Sequence, residues 1–321
     1  MSRLSRRQFI AGGLGVTGAV GTGVALDRAW SLFAREDLIP GAAPSVDLVP
    51  RAWTSTPDRV SFAAVGDTGS GGRQAVAVAE RMALTYRDAP FGLVAMLGDI
   101  CYYGSVKDRF HDVFIRPMSP LIDAGVTFEL AVGNHDGGLH YSDASLEEID
   151  AQLDRLGTPA RYYVSRHGPA EFFYLDSSEP GFFEEGALTQ LEWLDDHLAS
   201  STSQWKIVAM HHPVYSCGAH GPTARLNEYL EPILVRRKVD LVLAGHDHNY
   251  ERTVPIDGVT YVVSGGGCKT TAVNPQRYTE VAASTLEFMM FDIDGDRLTG
   301  RAIHTDGGRL DRFELRAREG R

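Results

Sequence analysis

The sequence predicts an α/β fold: a two-sheet β-sandwich flanked by helices on both sides. Three observations predict it. Short, continuous apolar runs alternate with helix-period segments through most of the chain, the pattern of a largely parallel sheet buried on both faces. Late in the chain the pattern changes to strands that alternate around Asp294-Gly295-Asp296, a hairpin signal that adds mixed strands. The apolar runs close repeatedly on a glycine or histidine followed by polar residues, so chemistry-bearing side chains gather at strand ends.

The elements follow in order. Arg59 to Val65 is a short apolar run ending at Gly66-Asp67, and a helix-period segment from about Gln74 to Tyr86 carries Val76, Val78, Ala79, Met82 and Ala83. Phe91 to Leu97 closes on Gly98-Asp99. Phe110 to Ile122 reads as helix, and Val126 to Val132 closes on Gly133-Asn134. Glu171 to Leu175 is a strand, Leu188 to Leu198 a helix with Trp193 on its apolar stripe, and Trp205 to Met210 a strand closed by His211. Val239 to Ala244 closes on Gly245-His246. Val259 to Val263, Glu287 to Ile293 and Arg297 to Ile303 complete the strands. No internal repeat is visible.

Ahead of this domain, assigned to residues 59–321, stand two other segments. Residues 35–58 hold four prolines (Pro40, Pro44, Pro50, Pro57) and little periodicity, and read as a linker. Residues 1–34 carry an address: Ser5-Arg6-Arg7-Gln8-Phe9-Ile10 has the twin-arginine pattern, followed by 17 uncharged residues from Ile10 to Leu26. Six of those are glycine and two threonine, so the stretch is too weakly apolar for a spanning helix, which needs about 20 strongly apolar residues. The expectation is export through the twin-arginine machinery to the periplasm, cell envelope or exterior, with no stable membrane span in the mature form. No clean A-x-A cleavage site stands out, which leaves retention as an uncleaved anchor open.

A composition of 43% hydrophobic and 23% charged residues is that of a soluble globular protein. The formal net charge of −11 argues against nucleic acid as a standing partner, because affinity there comes from neutralising phosphates. It does not exclude phosphorylated small molecules, since bound cations would reverse the local sign. Cys101, Cys217 and Cys268 are too few for a disulfide framework, though one pair could form after export.

Five motifs fall where strands end: Gly66-Asp67-Thr68-Gly69, Gly98-Asp99-Ile100-Cys101-Tyr102, Gly133-Asn134-His135-Asp136, Val208-Ala209-Met210-His211 and Gly245-His246-Asp247-His248. In open α/β sheets ligands sit outside the carboxyl ends of strands. Together the motifs offer two carboxylates, one phenol, one amide oxygen and three imidazoles, enough to hold two metal ions side by side. Adjacent metals with open positions are a device for displacing a leaving group from phosphorus. Alone, Asp67 or Asp99 would pass for a helix-capping acid, Asn134 for a turn residue, and each histidine for a satisfied core group. His246 and His248, on alternate positions, would point the same way in extended chain.

This ordered set resembles the calcineurin-like metallophosphoesterase superfamily from about Ser61 to Ile303. Each motif is weak alone, but the spacings of 32, 35, 77 and 35 residues from Asp67 through Asp99, Asn134, His211 and His246 are hard to obtain by accident. Tyr102 resembles the purple acid phosphatases in particular, and the run from His211 to Thr223 resembles their small, mammalian-type members. The resemblance implies a four-layer αββα fold and two metal sites. One takes Asp67, Asp99, Tyr102 and His248; the other takes Asp99, Asn134, His211 and His246, so that Asp99 bridges them. The donor chemistry agrees. Two carboxylates and a phenolate suit a trivalent ion, and two imidazoles with an amide oxygen suit a divalent one. A free tyrosine titrates near 10, so Tyr102 would bind as phenolate only to a strongly acidic cation. The implied cofactors are Fe³⁺ plus Fe²⁺, Zn²⁺ or Mn²⁺.

The same resemblance gives His135 and His220 the substrate side, to bind phosphate or protonate the leaving oxygen. His212 points away from His211 if the strand continues, and His140 has no support. Gly265-Gly266-Gly267-Cys268-Lys269-Thr270 looks like a phosphate loop, but Cys268 stands where a P-loop needs glycine and no helix follows, so it reads as a turn leaving a strand near the metal centre. The implied activity is phosphomonoester hydrolysis by a metal-bound hydroxide, on a phosphorylated small molecule. The alternatives are a phosphodiesterase or nucleotide hydrolase on the same metals, or a non-catalytic metal- or phosphate-binding protein that kept the fold.

Overall fold

The computed structural model describes residues 55–102, 109–136, 157–178 and 188–318, together with residues 44, 46, 48, 150 and 154. The signal segment lies outside these residues, as do most of the linker, Tyr103 and His140.

Among the described residues thirteen strands form two mixed sheets. Sheet 1 contains β1 (Arg59–Val65), β2 (Leu93–Met96), β3 (Thr127–Leu130), β11 (Glu287–Asp294), β12 (Arg297–His304) and β13 (Arg309–Arg316), in the order β13-β12-β11-β1-β2-β3. Sheet 2 contains β4 (Tyr163–His167), β5 (Ala170–Tyr174), β6 (Trp205–Ala209), β7 (Leu241–Ala244), β8 (Tyr250–Thr253), β9 (Thr260–Ser264) and β10 (Thr279–Ala283), in the order β10-β8-β9-β7-β6-β5-β4. β1, β2 and β3 pair in parallel, as do β5, β6, β7 and β9; the remaining pairings are antiparallel. The β11–β12 hairpin turns at Gly295-Asp296, inside the expected Asp294–Asp296 signal.

Among the described residues four α-helices cover the sheets: α1 (Arg73–Asp88), α2 (Arg116–Asp123), α3 (Leu188–Ser200) and α4 (Glu231–Arg236). α2 and α4 are each entered through one wide π-turn, His111–Ile115 and Leu226–Leu230. Period-2 alternation explains why the central strands are apolar throughout. Phe62 and Ala64 of β1 join Phe172, Ile207, Leu243 and Phe291 between the sheets. Ala63 and Val65, on the opposite face of the same strand, join Val78, Met82 and Leu121 under α1 and α2. Sheet 2 does the same, sending Phe173, Val208 and Val242 outward to Leu194, Leu198 and Leu234 of α3 and α4. The result is the expected helix–sheet–sheet–helix sandwich.

Four strands have no counterpart in the sequence reading: β4, β8, β10 and β13. Three of them are sheet edges, with one face in water. β10 and β13 carry mostly exposed or half-buried side chains, and nothing in their hydropathy marks them. The edge strands β3 and β4 are locked to each other across the two sheets by polar contacts. Ser165 and His167 bond the Glu129 carboxylate at 2.7 and 2.8 Å, and the Leu130 amide donates to the Tyr163 hydroxyl at 3.0 Å. Trp205, wholly buried, donates its indole N–H to the Gly295 carbonyl at 2.9 Å and ties sheet 2 to the hairpin of sheet 1. The three cysteines are buried free thiols. Among the described residues no helix is long and apolar enough to cross a membrane.

Glu287, at the start of β11, is fully buried and among the described residues meets no cation. Its carboxyl takes the Ser264 hydroxyl at 2.9–3.0 Å and the Gly266 amide at 3.3 Å. Burial, with the Asp67 charge adding to it, pushes Glu287 up to about 8 against these hydrogen bonds. A group whose folded pKa is raised contributes stability that is full below its unfolded value, about 4.5, and is lost as pH climbs toward 8. Thermal unfolding from pH 5 to pH 8 should therefore show the wild type losing stability more steeply than Glu287→Gln. Parallel profiles would show that the Glu287 proton is not linked to folding.

Candidate metal centre

The cluster is built where the segments leaving β1, β2 and β3 of sheet 1 meet those leaving β6 and β7 of sheet 2. Three of its residues have left-handed backbones: Asp67 (φ 61°), Asp99 (φ 54°) and His246 (φ 69°). Among the described residues the only other non-glycine cases are Lys238 and Asp257. Such conformations cost on the order of 1–3 kcal/mol each and gather at functional sites. Each strand end turns this sharply because the chain must reverse while its side chain stays aimed across the gap. Gly98 shows how close the turn is. Its φ is +85°, and a Cβ there would come within 2.5 Å of His211 Nδ1.

Hydrogen bonds define the cluster. His211 Nδ1 lies 2.8 Å from the Leu97 carbonyl, which can only accept, so Nδ1 carries the proton. In neutral His211 that leaves Nε2 as a bare lone pair, yet it faces Asn134 Oδ1 at 2.9 Å, His246 Nδ1 at 3.3 Å and Asp99 Oδ2 at 3.4 Å. His246 Nδ1 is also 3.1 Å from Asn134 Oδ1. Lone pairs converging at this range repel unless a proton or a metal ion stands among them. Burial acts to lower the His211 pKa, but the Asp99 carboxylate overrides it and pushes it up to about 10, so the site demands a positive charge.

A second half adjoins the first. The Tyr102 hydroxyl donates to Asp67 Oδ1 at 2.7 Å and lies 3.2 Å from His248 Nε2, which is itself 3.3 Å from Asp67 Oδ1. Asp67 Oδ2 accepts the His246 amide at 2.8 Å. Burial, then the Asp67 and Asp99 charges, raise the Tyr102 phenol well above its usual value, so without a metal it keeps its proton. Asp99 belongs to both halves, for its carboxylate, that of Asp67 and the His211 ring present ligand atoms within 4.8 Å of one another.

The structure thus brings together all seven residues that the sequence reading nominated as ligands: Asp67, Asp99, Tyr102, Asn134, His211, His246 and His248. It brings the two nominated substrate-side histidines to the rim. His135 donates its amide to Asp99 Oδ1 at 2.8 Å and packs its ring 4.9 Å from that of Tyr102. The His220 ring lies 4.3 Å from His246. His212 is closer than expected. β6 ends at Ala209, so strand alternation does not continue, and the His212 ring packs 4.4 Å from His246 with Nδ1 held 3.1 Å from the Ser177 hydroxyl. His211, His212 and His246 form a second group whose ligand atoms lie within 4.8 Å. His246 is not in extended chain either, since its φ is positive; its ring and that of His248 serve opposite halves of the cluster.

Two buried carboxylates escaped the sequence reading. Asp136 accepts four backbone N–H groups: Asp99 (2.9 Å) and Gly133 (2.8 Å) on one oxygen, Ile100 (2.8 Å) and Cys101 (3.2 Å) on the other. It fixes the loop carrying Asp99 to the loop carrying Asn134. Asp247 takes the His220 amide at 2.8 Å and His220 Nδ1 at 3.0 Å, and also bonds the Ser216 hydroxyl. Burial opposes its charge, but these bonds hold Asp247 below the usual carboxylate range. Paired with a carboxylate at Nδ1, the His220 ring is held in one orientation. The signal for both was present as an aspartate inside a ligand motif, Asn134-His135-Asp136 and His246-Asp247-His248.

A sandwich of two mixed sheets whose strand ends converge on carboxylates and imidazoles is the metallophosphoesterase architecture. The family model described as calcineurin-like phosphoesterase matches residues 60–250, and the chain belongs to that family. It is a hydrolase of the phosphatase kind. Over 253 residues it is 31% identical to tartrate-resistant acid phosphatase type 5 of Oryctolagus cuniculus, covering 68% of this chain and 76% of that one. Over 243 residues it is 28% identical to purple acid phosphatase 7 of Arabidopsis thaliana, covering 65% and 70%. Among solved structures, purple acid phosphatase PPD1 from yellow lupin (Lupinus luteus) shares the fold with a TM-score of 0.69 at 20% identity, over 82% of this chain and 55% of that one.

The Asp136 carboxylate should be indispensable to this geometry. Asp136→Ala leaves four buried N–H groups without their acceptor and should cost on the order of 3 kcal/mol or more of stability. Asp136→Asn, keeping one acceptor oxygen, should lose less. Thermal unfolding of the two variants checks the ranking; equal, small losses would show that the loops hold themselves.

Proposed function

We propose that this chain is an exported acid phosphatase that hydrolyses phosphomonoesters of small molecules on a binuclear metal centre. In this reading residues 1–34 are the twin-arginine signal, 35–58 a linker and 59–321 the phosphoesterase domain. Asp67, Asp99, Tyr102 and His248 would hold Fe³⁺. Asp99, Asn134, His211 and His246 would hold a divalent ion, Fe²⁺, Zn²⁺ or Mn²⁺. One observation supports the metal reading above the others: with its Nδ1 proton held by the Leu97 carbonyl, His211 turns Nε2 to the Asn134 oxygen at 2.9 Å with Asp99 and His246 beside it, a place a metal ion would take from the proton. The donor types support the division, for the carboxylate-and-phenol half is hard and anionic and the half with two imidazoles is borderline. When bound, the ions supply Lewis acidity: positive charge for the phosphoryl oxygens and a lowered pKa for the attacking water.

The remaining work falls to the chain's own side chains. His135, fixed through its amide to Asp99 and through its ring to Tyr102, would give a proton to the departing alkoxide. His220, orientated by Asp247, can donate Nε2–H to a phosphoryl oxygen. The relatives' names, acid phosphatase and purple acid phosphatase, favour the same reaction and an acidic optimum.

Metal analysis and a visible spectrum test the centre. The purified protein should contain two metals per chain and show a purple phenolate-to-iron band that Tyr102→Phe abolishes. Asp99→Ala should lose both ions, whereas His248→Ala and His211→Ala each lose mainly one. A colourless, fully active enzyme with divalent metals only would remove Fe³⁺ from the assignment, and two metals retained by Asp99→Ala would remove the bridge.

His135→Ala tests the proton donor. The variant should keep fold and metals while turnover of alkyl phosphates falls by about 10²–10⁴-fold. The loss should be smaller with nitrophenyl phosphate, whose phenolate departs without a proton. Equal losses for both leaving groups would make His135 a phosphate-binding residue instead.

A further inference from the structure

The glycine-rich turn after β9 is pressed against the metal centre from below. Gly265 and Gly267 leave no room for a Cβ, since one would strike the Asp247 carbonyl and the other the Gly66 carbonyl. Cys268 is buried against Tyr102 and Ala75. The next residue, Lys269, is half-buried and turns its ammonium over the Tyr102 ring, 4.1 Å from the ring centre. That ring also carries His135, at 4.9 Å.

The Lys269 ammonium has no counter-ion among the described residues. Among the described residues no carboxylate lies within ion-pair distance of it and no acceptor takes a hydrogen bond from its ammonium. An ammonium over an aromatic face gains about 0.5–1 kcal/mol at a partly exposed site, less than a charged hydrogen bond of about 1.5–3 kcal/mol. The cation is therefore held at the rim with its donors unspent. A simple monoester bound with its phosphoryl group over the metal ligands would give it nothing to bind, because the part projecting past Tyr102 would be neutral. A substrate with a second phosphoryl group beside the first would place an anion there.

We propose that Lys269 is a specificity-determining residue that selects phosphoanhydrides, such as nucleoside di- and triphosphates, by binding the phosphoryl group adjacent to the one transferred. This rests on the phosphatase reading above. In the reaction the oxygen of water forms a bond to the terminal phosphorus and the bridging P–O bond breaks. Its electron pair leaves on the bridging oxygen of the remaining phosphate, and the protons of water pass to the two products. Lys269 would neutralise the charge that builds on the leaving phosphate, a position where a neutral alcohol needs no such partner.

The test uses the metal-loaded protein as wild type, Lys269→Gln and Lys269→Arg. Calorimetric titration with methylenediphosphonate and with methylphosphonate, neither of which can be hydrolysed, reads binding apart from turnover. Lys269→Gln should weaken methylenediphosphonate about tenfold more than methylphosphonate, the worth of one charged hydrogen bond. Lys269→Arg should keep most of the preference. The kcat/KM ratio of a nucleoside diphosphate to a nucleoside monophosphate should fall by a similar factor in Lys269→Gln. Equal weakening of both phosphonates would overturn the proposal and leave Lys269 a clamp on Tyr102. If the wild type turned over neither nucleotide nor nitrophenyl phosphate, the phosphatase reading would fall, while the phosphonate ratio would still decide the role of Lys269.

Discussion

The contact between His211 Nδ1 and the Leu97 carbonyl crosses from one sheet to the other and decides which nitrogen enters the cluster. A carbonyl has no proton to give, so the tautomer is fixed by backbone geometry. Everything on the far side of the ring follows from it. Nε2 becomes a donor of electrons, placed against an amide oxygen, a carboxylate and a second imidazole. The contact also explains Gly98, since any side chain there would occupy the space the imidazole needs to reach Leu97. A metal-ligating histidine generally has its other nitrogen held in this way, which orients the ring and raises its basicity.

Such a cluster is unfavourable in isolation, and the fold holds it by rigidity around it. Three left-handed residues at its heart and several lone pairs in contact all raise the energy of the metal-free chain. Opposing them are Asp136, whose single carboxylate collects four amides from two loops, and Asp247, which collects the amide, the ring and a serine hydroxyl around His220. Beneath them lie strands buried on both faces, where Phe62 stacks on Phe291 at 4.7 Å and meets Phe172 edge-on at 4.9 Å. The aromatic layer resists small displacements because close-packed interiors transmit strain instead of absorbing it.

Sequence reading recovered what burial and residue chemistry both mark. The central strands β1, β2, β6, β7 and β11 were visible because helices or a second sheet cover both their faces, making them continuously apolar. The edge strands β10 and β13 were not, because half of each faces water and their register is set by neighbours distant in sequence. Among site residues, those whose side chains could bind metal were legible by type and spacing. Asp136 and Asp247 were not, because their task is to hold backbone amides, and nothing in an aspartate distinguishes that from ligation. Lys269 was visible only within a segment that failed as a phosphate loop; its place over Tyr102 depends on how the turn after β9 packs. His212 failed for a local reason, as alternation was extended three residues past the true end of β6.

The division of ligand types between the sheets has a further consequence. Asp67, Asp99, Tyr102 and Asn134, all oxygen donors, leave strands of sheet 1, whereas His211, His246 and His248, all nitrogen donors, leave strands of sheet 2. Ions held among them would be ligated from both sheets, so metal binding and the closure of the sandwich would be one event. Ligation that exists only in the folded arrangement adds directly to folding stability. It would also relieve the repulsion that the bare cluster imposes on the seam between the sheets. The site that strains the apo fold is thereby the one through which metal would stabilise it, a centre that neither sheet can assemble alone.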